Sequence, residues 1–182
     1  MINPDLSTDA GDVDFRLTRI FHAPRALVFR TMTETDHLQH WWGPRGCRIE
    51  VASHEPRPGG MFHYCMHFPG GFDMWGRFIY REILAPERIV FVNGFADAAA
   101  NAASNPMSPN WPREMLNTIL LAEQDGKTVL SLLSQPINAT DLERDTFKAG
   151  HASMQQGFDG MYDHYEDYLT TLLRKQGEQA GG

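Results

Sequence analysis

Only two cysteines, Cys47 and Cys65, occur in 182 residues. That is too few for a disulfide framework in a chain of this length, and it suits a reducing compartment. Basic residues are also scarce: 16 Lys and Arg stand against 23 Asp and Glu, for a net charge of −7. No basic cluster offsets this balance, which argues against nucleic acid as a partner. No run approaches the roughly 18 consecutive apolar residues of a membrane span, and the opening MINPDLSTDAGD lacks the basic and apolar stretches of a signal peptide. A cytoplasmic protein with no membrane partner is therefore expected. A glycine-rich phosphate loop, a Gly-x-Ser-x-Gly elbow and a His-Glu-x-x-His helix are all missing, so the sequence assigns no catalytic residue and no cofactor.

Large adaptable side chains, by contrast, are plentiful: 11 Phe, 5 Tyr, 4 Trp and 9 Met. Aromatic rings and thioethers fill a core, and they also suit the wall of a pocket for an apolar guest. The length fits one domain, placed here at 13–174 between polar, aperiodic tails at 1–12 and 175–182.

Apolar residues alternate along 13–21, which predicts a first strand. Pro24 opens a helix, and a second short helix runs from Thr33 or Thr35 to Trp42, where Gly43-Pro44 stops it. Six further strands are predicted at 48–53, 60–68, 72–84, 88–95, 115–123 and 127–135. Their links, Gly70-Gly71, Pro86-Glu87 and Asp125-Gly126, are short, so neighbours are antiparallel. The one long connection, 96–114, contains Trp111 and is read as a lid. From Asp141 the period becomes helical, and His151, Met154, Phe158, Met161, Tyr165 and Leu169 form one apolar stripe of a long C-terminal helix. Gly150, Gly157 and Gly160 weaken that helix and call for compensation, either close backbone approach or room beside a ligand.

Several segments in order carry a resemblance: Ala23-Pro24-Arg25-Ala26-Leu27-Val28-Phe29, Trp41-Trp42-Gly43-Pro44-Arg45-Gly46 and Arg57-Pro58-Gly59-Gly60. Gly76 with Tyr80 and Glu82, then Pro86-Glu87-Arg88-Ile89-Val90, Asp125-Gly126-Lys127-Thr128 and Gly157-Phe158 continue it. The chain resembles the family named after the activator of the heat-shock protein 90 ATPase, in the START-like (SRPBCC) superfamily. Phe158 stands where that family usually carries Trp, and Met161 and Tyr165 stand at positions usually held by Leu. The resemblance implies an α+β helix-grip fold: a curved seven-stranded antiparallel sheet, with two short helices after strand one, wrapped around a long C-terminal helix with a cavity between.

On that basis a small hydrophobic or aromatic ligand is expected between sheet and helix. The residues assigned to it are Trp41, Trp42, Phe62, Tyr64, Met66, Phe78, Tyr80, Phe91, Trp111, His151, Met154, Phe158 and Met161. Two alternatives stand beside this. One is an enzyme of the cyclase or hydrolase type, with His151, Tyr64 or Tyr80 as acid or base. The other is a regulator of a chaperone ATPase, for which the acidic helix face of Asp159, Asp163, Glu166 and Asp167 is a candidate surface and otherwise a solvated one. A homodimer through an exposed edge strand is compatible with the pattern. On the strand at 60–68, His63, Cys65 and His67 share the face opposite the aromatic one; that spacing would suit zinc, but the row is read as polar and outward, with no metal assigned. Arg77, Glu82, Glu87 and Arg88 are read as structural ion-pairing groups.

Overall fold

The structure, a computed structural model, describes residues 11–180. It follows the expected order with two added elements, a short strand and a short helix. Strand β1 (Phe15–Phe21) is followed by helices α1 (Arg25–Thr33) and α2 (Thr35–Trp41), then strands β2 (Arg48–His54), β3 (Met61–His67), β4 (Asp73–Leu84) and β5 (Arg88–Ala96). A two-residue strand β6 (Ala102–Ala103) interrupts the long connection, which makes eight strands rather than seven. β7 (Glu114–Gln124) and β8 (Lys127–Ile137) precede helix α3 (Asp141–Ala149) and helix α4 (His151–Ala180). The predicted helical region is thus two helices, and α4 runs through most of the segment read as a C-terminal tail. The predicted N-terminal tail lies almost wholly outside the described residues.

The sheet order is β1-β8-β7-β5-β4-β3-β2, with β6 added against β5, and every pairing is antiparallel. Register shifts between Val51 and Ser53 and between Tyr80 and Glu82 mark bulges, which bend their strands and deepen the curvature. Thr140 caps α3 through a reciprocal box with Glu143: the threonine Oγ1 accepts from the Glu143 N–H, and the Glu143 carboxylate accepts from the Thr140 N–H. The carboxylate also accepts from the Thr140 hydroxyl, and the two bonds it receives, from the Thr140 N–H first and the hydroxyl second, hold the Glu143 carboxyl below its usual range.

The stripe of α4 meets the concave face of the sheet. Tyr165 is fully buried, stacks on Trp41 with ring centres 3.9 Å apart, and donates its hydroxyl to the Val28 carbonyl at 3.0 Å. Tyr162 meets Phe21 edge to face, and Phe158 stacks on Phe15. Across the helix, Arg19 pairs with Asp163 and Arg45 with Asp167. Among the described residues no helix is long and apolar enough to cross a membrane.

Candidate ligand-binding site

Alternation along β3 and β4 sends Phe62, Tyr64, Met66, Met74, Gly76, Phe78 and Tyr80 to the same, concave face. What lies opposite them divides that face in two. Over the inner half, α1, α2 and α4 supply Met32, Leu38, Trp41 and Tyr162, which leave a void of only about 20 Å³ against Phe78, Tyr80 and Phe91. Toward the β3–β4 turn no helix among the described residues covers the sheet, and a cavity of about 470 Å³ remains. That volume is within the range of small-molecule sites.

Of the predicted residues, Trp42, Tyr64, Met66 and Trp111 line this larger cavity. Trp41, Phe78, Tyr80 and Phe91 line the small inner void instead. Phe62 is fully buried among Tyr64, Phe78 and His54, while Met154, Phe158 and Met161 pack into the core. His151 bonds the Val13 carbonyl through Nε2 at 3.1 Å and contacts Phe15 and Phe147 edge to face, as a satisfied core histidine does. No described residue of α4 lines this cavity. Along α4 the long side chains of the stripe pack against the core.

Met74, Gly76, Asn93, Met107 and Met115 are among the wall residues that were not assigned from the sequence. Strand parity with Phe78 and Phe91 is the signal that finds Met74, Gly76 and Asn93. Gly76 is decisive for the shape. It lies opposite Tyr64 in register, and a Cβ built there would come within 2.5 Å of the tyrosine hydroxyl. The missing side chain lets the Tyr64 ring lie across the strand.

Among the described residues, Tyr64 is the only ionisable side chain in the wall. Burial pushes its phenol up to about 12, against a hydrogen bond from Trp42 that favours the phenolate. It is therefore a neutral hydrogen-bonding group at ordinary pH. Asn117 donates to the Asn93 side-chain oxygen at 2.6 Å and so fixes the orientation of that amide in the wall. Arg77, Glu82, Glu87 and Arg88 stay out of the cavity: Arg77 donates to the Ala100 carbonyl, and Arg88 pairs with Glu82 and Arg25 with Glu87.

The connection at 97–113 closes the mouth with Asn105, Met107 and Trp111. Its first half is a turn built on Asp97, whose carboxylate accepts from the N–H groups of Ala99 and Asn101 and from the Asn101 amide. Its second half is anchored by Trp111, which packs on Phe147 and over Gly150; a Cβ at Gly150 would lie 2.6 Å from the indole. That contact accounts for Gly150. Gly157 and Gly160 face open space, so neither needs its missing side chain for packing.

A family model described as activator of Hsp90 ATPase homolog 1-like protein matches residues 22–170. The chain belongs to this family. No curated protein matches it. Among solved structures it is similar to protein Ms6760 of Mycobacterium smegmatis, at 21% identity and a TM-score of 0.73, over 92% of this chain and 98% of that one. A protein from Arthrobacter aurescens is similar at 23% identity and 0.73, over 91% and 92% respectively. The AHSA1 protein of Silicibacter pomeroyi is similar at 18% and 0.65, over 87% and 98%. At these identities the likeness is one of fold, and the activator-family chain shares with all three the curved sheet and the long C-terminal helix.

Proposed function

We propose that this protein encloses a small, uncharged, largely apolar molecule in the cavity at the β3–β4 end of the sheet, beneath the connection at 97–113. The observation that carries this reading is a cavity of about 470 Å³ walled by Trp42, Trp111, Tyr64 and several Met, with no charged side chain in the wall. A charged guest would lose its hydration without gaining a partner, whereas apolar surface gains about 25 cal/mol per Å² on burial. Tyr64 and Asn93 supply the few polar groups that orient a guest.

The acid–base alternative loses support from His151, which is committed to the Val13 carbonyl, and from Tyr64, which holds its proton to about 12. The family description concerns activation of a chaperone ATPase. On this chain Asp163 and Asp167 of the acidic helix face are already engaged by Arg19 and Arg45, which favours an intramolecular role for that face.

Native mass spectrometry of freshly purified protein, followed by denaturing extraction, tests the reading. A co-purifying neutral molecule whose re-addition raises Tm supports it, and the shift disappears in Met66→Trp, whose larger side chain takes up cavity volume. A charged extracted molecule, or a Tm rise unchanged in that variant, overturns it.

A further inference from the structure

On the convex face of the sheet, behind the cavity, lies a group that the cavity does not use. Of the row His63, Cys65 and His67, the first two are buried rather than outward, and His63 is committed elsewhere: it stacks on Trp75 with ring centres 4.8 Å apart and bonds the Asp97 carbonyl at 2.9 Å. Asp73 takes its place beside the other two, because the β3–β4 hairpin pairs it with His67. Cys65 lies two residues earlier on the same face. One ligand atom from each of Cys65, His67 and Asp73 falls within 4.8 Å of the others. The His67 Nδ1 is 2.8 Å from Asp73 Oδ1 and 4.0 Å from Cys65 Sγ. The other ring nitrogen, Nε2, is 3.2 Å from Glu50 Oε2, and Arg48 lies 3.5 Å from that same oxygen.

We propose that Cys65, His67 and Asp73 form a zinc site, with Glu50 as the positioning carboxylate behind His67. A thiolate, an imidazole and a carboxylate are the three ligand types zinc takes, and solvent completes the tetrahedron on the exposed side of Asp73. Magnesium and calcium prefer all-oxygen shells, which this set does not offer. Glu50 accepts from Nε2–H and leaves Nδ1 as the ligating nitrogen, the carboxylate–histidine–metal arrangement that fixes a ring for coordination. The cation takes the position between Nδ1 and Asp73 that a proton otherwise occupies, and Cys65 binds as thiolate, giving its proton to solvent. The site joins the two strands whose opposite faces carry Met66 and Met74 of the cavity wall, so a bound cation pins that wall.

Reduced full-length protein, stripped by a chelator, is titrated with Zn(II) in competition with a chromogenic chelator, and with Co(II) followed by absorption. The expected result is one equivalent bound, with a thiolate-to-cobalt charge-transfer band that is lost in Cys65→Ser and kept in Cys47→Ser. Glu50→Gln weakens binding by roughly 10- to 100-fold, His67→Gln by more, and His63→Gln leaves it unchanged. His67 is only partly buried, so His67→Gln carries the test if Cys65→Ser misfolds, with circular dichroism as the check on folding. Absence of a thiolate band, a band that follows Cys47, or zinc binding unchanged in His67→Gln overturns the proposal. None of these outcomes bears on the cavity ligand, which is extracted and tested without metal.

Discussion

Two regions under one sheet are lined by the same kinds of side chain and reach opposite states. Beneath α4, Trp41, Phe78, Tyr80, Phe91 and Tyr162 interlock and leave about 20 Å³. At the β3–β4 end, Trp42, Tyr64, Met66, Met74 and Trp111 leave about 470 Å³. Hydrophobicity does not separate them. The first region has a helix opposite the strands, and the second has a loop whose one large anchor, Trp111, turns partly toward Phe147. Space in this fold comes from the absence of a facing helix, together with a strand position, Gly76, that carries no side chain.

The sharpest way to break the comparison is to make the filled region empty. Tyr165→Ala removes a fully buried ring stacked on Trp41 and a hydroxyl bonded to Val28 and Thr31. A loss of about 4 kcal/mol is expected, read from the urea midpoint. A loss below about 1 kcal/mol would mean that the region beneath α4 is no tighter than the open end.

Alkaline titration distinguishes the regions next. Burial holds the phenols of Tyr80, Tyr162 and Tyr165 well above their ordinary value near 10, and that of Tyr64 at about 12. The unfolded chain releases these protons near pH 10 while the folded chain keeps them, so the unfolded state binds fewer protons and stability falls as pH rises past 10. Tyr64 contributes at most about 3 kcal/mol of that fall, spent between pH 10 and about 12. Tyr64→Phe should therefore flatten the decline of Tm over this window. If tyrosinate absorbance instead grows near pH 10 with the fold intact and the rise vanishes in Tyr64→Phe, the cavity is open to water and the tyrosine is not sheltered as the core tyrosines are.

A pair of glycines in one helical region gives a smaller and signed contrast. Gly150→Ala places a methyl against the Trp111 ring, an overpacking cost of about 1–3 kcal/mol, and lifts the anchor of the closing segment. Gly157→Ala meets open space and gains roughly 1 kcal/mol of helix propensity. Thermal melts of the two variants should move in opposite directions, and only Gly150→Ala should weaken the extracted guest.

Much of this was legible in the sequence because it depends on local period. The alternation along β3 and β4, the Asp125-Gly126 hairpin and the apolar stripe of α4 are each set by neighbours a few residues apart. The cavity was only half legible. Tyr64 and Met66 follow from strand parity, but whether Met154 or Phe158 lines a space or fills one depends on what stands opposite, and period carries no such information. Strand β6 escaped for a related reason: two residues pair with β5 because the Asp97 turn and the Arg77 contact to the Ala100 carbonyl fold the connection back. The polar row on β3 was placed on the correct face, but the Asp97 carbonyl beside His63 and Asp73 beside His67 come from the folded connection and the hairpin register, which composition does not specify.

Met107 offers the smallest effect on stability and the most pointed test of the open region. It lines the cavity mouth yet is 73% exposed, so in the empty protein its side chain buries little. Met107→Ser should shift the urea midpoint by less than about 0.5 kcal/mol. A guest held in the cavity would cover part of that thioether, and removing roughly 40–60 Å² of apolar contact at about 25 cal/mol per Å² costs about 1–1.5 kcal/mol of affinity. Binding of the extracted molecule, followed by calorimetry, should therefore weaken roughly 5- to 12-fold in a variant whose melting is unchanged. A core residue cannot give that combination, because its contacts exist before the guest arrives. Equal binding in both proteins would place the guest away from the closing segment.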